Sequence, residues 1–136
     1  MTKASPRPFR LTTDAAATYR NIDAVGRTTG ANPHELVELM YRECIAALRS
    51  AAFATEKRQL PIKSERIARA TAILFALESN LDFERGGDIS RTLATLYHSL
   101  RGQIVQASLG SDPAPFRAVA DDLAEIAGAW SQARAA

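Results

Sequence analysis

Two histidines, one cysteine, a pair of adjacent aspartates and a pair of adjacent glycines are the features of this 136-residue chain whose types could carry chemistry. A helical di-iron centre needs a Glu three residues before each of two inward histidines. Ala31 holds that position for His34 and Thr95 holds it for His98, so neither histidine qualifies. Two distant histidines and Cys44 do not make up the ligand set of a zinc site. Asp121 and Asp122 are neighbours, which on a helix points them about 100° apart and keeps them from working as an acid–base pair. Gly86-Gly87 lacks the lysine and the spacing of a loop that cradles phosphate. Cys44 reads as a small core residue, His34 and His98 as surface or capping residues, and Phe116 and Trp130 as core anchors. We expect no catalytic residue, no metal site and no cofactor, which leaves binding as the kind of function to look for.

Composition narrows the partners. Hydrophobic residues make up 46% and charged residues 24% of the chain, the profile of an ordinary globular domain. The 17 basic residues nearly balance the 15 acidic ones, so a nucleic-acid partner is not expected, Arg66, Arg69 and a basic tail being the best candidates for one. A lone cysteine fits a reducing compartment. No apolar leader follows Lys3, Arg7 and Arg10, and no apolar run is long enough to span a bilayer. The expected location is the cytoplasm, with no membrane insertion.

Periodicity supplies the elements. Residues 1–12, with Pro6 and Pro8, read as a flexible tail, and residues 13–136 as a single helical domain. A short helix over 13–25 carries the sparse apolar stripe Tyr19, Ile22, Val25, which needs a surface to lie on. Asn32-Pro33-His34-Glu35 announces a long helix over 33–56, with Leu36, Val37, Met40, Cys44, Leu48 and Ala51 inward and His34 on the polar side. Pro61 opens a second helix with Ile62, Ile67, Ala70, Ile73, Leu74, Leu77 and Leu81 as its stripe and Lys63, Arg66 and Arg69 toward water. The glycine pair Gly86-Gly87 is expected to end it as a corner, Asp88 then capping a third helix marked by Ile89, Leu93, Leu96, Tyr97, Leu100, Ile104 and Leu109. Asp112-Pro113 opens a fourth, with Phe116, Val119, Ala120, Leu123, Ile126 and Trp130 on one side. Four long amphipathic helices with short connections pack as an antiparallel four-helix bundle, so the fold class is all-α, with the N-terminal helix as an extra piece.

The stretch Leu81-Asp82-Phe83-Glu84-Arg85-Gly86-Gly87-Asp88-Ile89, followed by Leu93 and Leu96-Tyr97, resembles the central signature of the flagellin export chaperones, the FliS family. Ala31-Asn32-Pro33-His34-Glu35-Leu36 running to Met40-Tyr41 is similar to that family's first helix opening, and Ala129-Trp130 to a pair near its end. The chain departs from the pattern at Arg42-Glu43, where the family usually has Asp-Gly, and at Gly102 inside the third helix. The resemblance implies a four-helix bundle of the cytoplasm that serves type III export during flagellum biogenesis. Such a bundle binds the disordered C-terminal segment of flagellin, prevents premature polymerisation and presents the client to the flagellar export gate. It implies client-groove residues among Leu36, Met40, Tyr41, Leu93, Tyr97 and Leu100, and gives Leu81, Asp82, Gly86 and Gly87 the role of fixing the turn. It also implies that Tyr19, Ile22 and Val25 cover a hydrophobic pocket, either as a lid that client displaces or as permanent cover. A helical adaptor of flagellar assembly or gene expression, with regulators rather than flagellin as main partners, is the alternative. The free protein is expected to be a monomer or a weak homodimer.

Overall fold

The structure, a computed structural model, describes residues 33–135. The tail, the expected helix over 13–25 with Tyr19, Ile22 and Val25, and the expected cap Asn32 lie outside the described residues. Four helices follow in order: α1 (Pro33–Glu56), α2 (Leu60–Ser79), α3 (Phe83–Ser108) and α4 (Ala114–Ala135). α1 occupies the range its proline and apolar spacing predict. It packs most extensively on α2 and then on α4, α2 packs next on α3, and the α3–α4 seam is the thinnest. Side-chain pairs give the directions. His34 at the start of α1 meets Trp130 near the end of α4, and Arg117 at the start of α4 pairs with Glu56 at the end of α1, 2.9 Å away. Lys63 in the first turn of α2 donates to the carbonyl of Gly110, just past α3, at 2.8 Å. Neighbouring helices are therefore antiparallel, and the all-α four-helix bundle stands.

The core is the product of the 3.6-residue period. Met40, Tyr41, Cys44, Leu48, Ile73, Leu74, Tyr97, Leu100, Ile104, Phe116, Val119 and Leu123 are all buried. Each large apolar side chain among them contributes about 1.5–3 kcal/mol by leaving water. Alanines at 47, 51, 52, 70, 72 and 120 are buried as well and let α1 approach its neighbours closely. The α1–α2 connection closes with Gln59 N–H bonded to Ala54 O at 2.9 Å and Arg58 N–H to Thr55 O at 3.2 Å. That pairing is a Schellman cap, and Arg58 takes the left-handed position at φ 56° where glycine is usual.

Several sequence expectations need correction. Gly86-Gly87 is not the corner between helices. α2 ends at Ser79, and α3 begins at Phe83 with Asp82, not Asp88, as its N-cap. The Asp82 carboxylate accepts the backbone N–H of Glu84 and of Arg85, each at 3.1 Å. Gly87 lies inside the helix as a kink, with φ 51° and ψ −121°. The glycine does take a positive φ, but it bends α3 after its first turn instead of reversing the chain. Asp88 pairs with Arg91 on the surface. Lys63, expected in water, is buried, because its stem lies along the bundle while its ammonium reaches the Gly110 carbonyl. Ile62, Ile89 and Leu109, expected on inward stripes, are 43%, 72% and 77% exposed. All three stand within a turn or two of a helix end or kink, where the partner helix no longer covers the stripe.

Candidate functional site

The kink at Gly87 and the cap at Asp82 shape one end of the bundle. Ser90 Oγ donates to the Asp82 carbonyl at 2.9 Å, and Gly86 N–H donates to the same oxygen at 2.8 Å. A Cβ on Gly86 would overlap the Ser90 hydroxyl and come within 3.1 Å of Ser90 Cβ. Gly86 is therefore the residue that lets Ser90 tie the first turn of α3 down. Nothing stands near a Cβ at Gly87, where the requirement comes from the backbone angle alone.

Between α1, the end of α2 and the start of α3 lies an open cavity of about 420 Å³. Pockets that take small ligands run from about 300 to 1,000 Å³. Leu36, Val37 and Met40 of α1, Leu77 and Leu81, and Ile89 and Leu93 of α3 supply its apolar lining. Asp82, Gly86 and Ser90 line it beside the kink. Tyr41 and Tyr97 line it too, with their hydroxyls hydrogen-bonded to each other. Burial pushes both phenols above their ordinary range, so they stay neutral donors and acceptors through the physiological pH range. Cys44 is buried, its thiol raised by burial and directed at the Ala70 carbonyl 3.5 Å away, an unreactive setting.

Trp130 of α4 lines the same cavity. Its indole N–H donates to the His34 carbonyl at 3.0 Å, while His34 Nε2 lies 2.9 Å from the Trp130 carbonyl. The two rings stack with centroids 4.3 Å apart. His34, expected as a surface or capping residue on the polar side of α1, is instead half of a clasp joining the two ends of the described chain. At the cavity end of the bundle Phe83 and Ile89 remain 48% and 72% exposed.

Of the groove residues named from the sequence, Leu36, Met40, Tyr41, Leu93 and Tyr97 line this one cavity. Leu100 does not. It is 1% exposed within the core, with Ile104 on the same helix face. Leu81, Asp82 and Gly86 of the turn signature line the cavity as well, and Gly87 does not. Sequence reasoning left out Val37, Leu77, Ile89, Ser90 and Trp130 as cavity residues. The exposed Ile89 carries a usable signal, an apolar residue just after a glycine pair, while the part played by Trp130 depends on a partner 96 residues away. Among the described residues no group of three or more His, Cys, Asp or Glu side chains is placed to hold a metal ion, and no helix is long and apolar enough to cross a membrane.

The family model "Flagellar protein FliS" matches residues 15–136. The chain belongs to the FliS family. It is 32% identical over 114 residues to the flagellar secretion chaperone FliS of Vibrio cholerae, covering 84% of each chain. It is 30% identical to the flagellar secretion chaperone FliSB of Pseudomonas aeruginosa, over 82% of this chain and 89% of the relative. Against the flagellar secretion chaperone FliS of Salmonella typhimurium it is 30% identical over 84% of this chain and 85% of the relative. The signature on which the resemblance was read, Leu81–Ile89, is the segment that builds the cap, the kink and one wall of the cavity in this FliS-family bundle.

Proposed function

We propose that this chain is a cytoplasmic export chaperone for flagellin. It holds the disordered C-terminal segment of flagellin, keeps it from polymerising, and delivers it to the flagellar type III export apparatus. The observation that supports this reading best is the open apolar cavity of about 420 Å³, in a chain whose curated relatives are named flagellar secretion chaperones. An amphipathic segment supplies what such a cavity takes, a few apolar side chains on a backbone that folds as it binds.

Magnitudes set the size of the contact. Burying one Leu or Phe anchor contributes about 1.5–3 kcal/mol, whereas a micromolar complex needs about 8 kcal/mol on top of the cost of ordering the segment. The cavity therefore works as an anchor point, and the client must cover further surface. The half-buried Leu36, Val37 and Leu93 form its apolar contact, and Met40 with the Tyr41–Tyr97 pair forms its buried floor. Leu100 supports the core beneath. In the free protein the stripe Tyr19, Ile22, Val25 is the proposed cover, displaced by client. Hydrogen exchange checks that part: residues 14–25 are expected to lose protection when client is added, and unchanged protection there overturns the displacement.

The test of the site is Leu93→Glu. Leu93 is half-buried at the cavity, so a carboxylate there can reach water and spare the fold. Binding of a C-terminal flagellin segment is expected to weaken by more than about tenfold, the loss of one anchor and the desolvation of a charge, with the melting temperature little changed. Unchanged affinity would remove the cavity from the client surface.

A further inference from the structure

On the outer face of α1 and α2 lies a second, smaller cavity of about 230 Å³, lined by Glu43, Ala46, Ala47, Ser50, Arg66 and Arg69. It shares no lining residue with the apolar cavity. Beyond Glu43 its α1 side is made of small side chains, Ala46, Ala47 and Ser50, so a guest can come close to the helix there. Its α2 side is made of guanidinium groups. Arg69 is tied to Glu43 at 2.7 Å. Arg66 is not committed in the same way. Its Nε lies 3.3 Å from the exposed carboxylate of Glu65, yet it is shut off from water with no hydrogen-bond acceptor.

The face continues beyond the cavity at helical spacing. Ala46, Ser50 and Phe53 run at i, i+4, i+7 on α1, and Ile62, Arg66 and Arg69 run at the same spacing on α2. Because the helices are antiparallel, Phe53 and Ile62 fall at the same end, toward the connecting turn. They are 54% and 43% exposed. Lys57 sits over the Phe53 ring, 5.5 Å from its centroid, and adds a cation there. The surface thus offers a donor-rich notch and, about 4.5–10.5 Å along the helix axis, two apolar shoulders flanked by positive charge.

We propose that this face is a second docking surface, taking an acidic amphipathic helix of a partner protein. A carboxylate of the partner enters the notch between Ser50, Arg66 and Arg69 and accepts from the guanidinium groups and the Ser50 hydroxyl. An apolar side chain about four to seven residues along the partner helix seats on Phe53 and Ile62, since the notch donors lie three to seven residues, about 4.5–10.5 Å, from those shoulders along their own helices. Charge complementarity selects the partner: among the described residues, once Glu43 is matched to Arg69 and Glu56 to Arg117, Arg66 and Lys57 outnumber Glu65 on this face. The proposal rests on these residues and not on the client reading of the other cavity, so a bundle could hold client at one site and this partner at the other.

The test is a titration of the isotope-labelled full chain with an alanine-based helical peptide, about 20 residues and so about 30 Å long. It carries two glutamates one turn apart and leucine seven residues beyond, and a control peptide has lysine in place of both glutamates. Amide shifts are expected at Ala46, Ser50, Ile62 and Arg66, with the acidic peptide bound about five- to tenfold more tightly, the size that two charge-assisted contacts give at a half-exposed site. Arg66→Glu is expected to reverse that preference, Ile62→Asn to weaken both peptides with the preference kept, and Leu93→Glu to change nothing. Equal binding of the two peptides, or shifts confined to Leu36 and Leu93, overturns the proposal. So does movement of the same amides with protein concentration alone, which would make the face a self-association surface. Movement of these amides with a C-terminal flagellin segment overturns it too, because the face would then be a second client contact.

Discussion

Replacing Gly87 separates backbone strain from packing, because the structure gives it one cause and not the other. Its φ of 51° and ψ of −121° match the first central position of a type II′ turn, near +60° and −120°, which glycine dominates. No neighbouring atom stands where a Cβ would go. An L-residue forced into that region costs about 1–3 kcal/mol, and restricting the unfolded chain returns about 0.4–1 kcal/mol of it. Gly87→Ala is therefore expected to cost roughly 1–2 kcal/mol, and Gly87→Leu within about 0.5 kcal/mol of the same amount, since there is open space for the longer side chain. D-alanine, introduced by ligation of synthetic and expressed segments, prefers the mirror-image angles. It keeps the unfolded-state gain without the strain and is expected to stabilise by about 0.4–1 kcal/mol. Thermal unfolding followed by circular dichroism resolves these differences, at about 3–5 °C for each kcal/mol in a chain of 136 residues. If D-alanine destabilises as much as L-alanine, or if leucine costs far more than alanine, the positive-φ kink is not what position 87 needs.

Tyr41→Phe and Tyr97→Phe should each cost about 1–3 kcal/mol by leaving the other phenol unmatched, and the double variant should cost less than their sum; urea unfolding in a double-mutant cycle measures the coupling. Stability should fall as pH rises past about 9–10. Burial holds the Cys44 thiol and both phenols protonated in the folded chain, while the unfolded chain releases protons from groups whose ordinary values are 9.0 and 10.0, so the folded state binds more protons in that window. Each group contributes a slope of about 1.4 kcal/mol per pH unit, and a Cys44→Ala, Tyr41→Phe, Tyr97→Phe triple variant should show a flatter alkaline limb in unfolding measured across pH. Arg58→Gly should raise stability by about 0.5–1 kcal/mol, because the Schellman cap holds that residue at a positive φ; a lower melting temperature would contradict this.

Much of the bundle was legible from spacing. α1 begins at its proline and ends where its apolar pattern runs out, and the buried positions of α4 fall on the stripe read for it. The turn before α3 was harder to read because two signals compete within seven residues. Asp82 and Asp88 both suit an N-cap, and a glycine pair ordinarily reads as a stop. What decides is that Asp82 lies where both Glu84 and Arg85 N–H groups converge on it and where Ser90 returns to its carbonyl, which only three-dimensional closure provides. Lys63 departs from its expected face because periodicity assigns a face by the Cα direction, while a four-carbon stem can carry its charge to a carbonyl just past another helix. The cavity was legible in part. Leu36, Met40, Tyr41, Leu93 and Tyr97 have the right spacing to meet, but Leu100 shares that spacing and goes to the core, since it lies nearly one helical turn beyond Tyr97, the last α3 residue to line the cavity. The His34–Trp130 clasp joins residues 96 apart, and neither side chain carries a local sign of it.

The claim that this bundle is a flagellin chaperone is tested most directly by calorimetric titration of the full chain with the C-terminal segment of flagellin from the same cell, using the N-terminal segment as control. The expected result is tight binding of the C-terminal segment alone, with a large negative heat-capacity change from the apolar surface buried as the segment folds onto the bundle. Absence of heat with both segments across several temperatures, from a protein whose circular dichroism shows the helices intact, would contradict it.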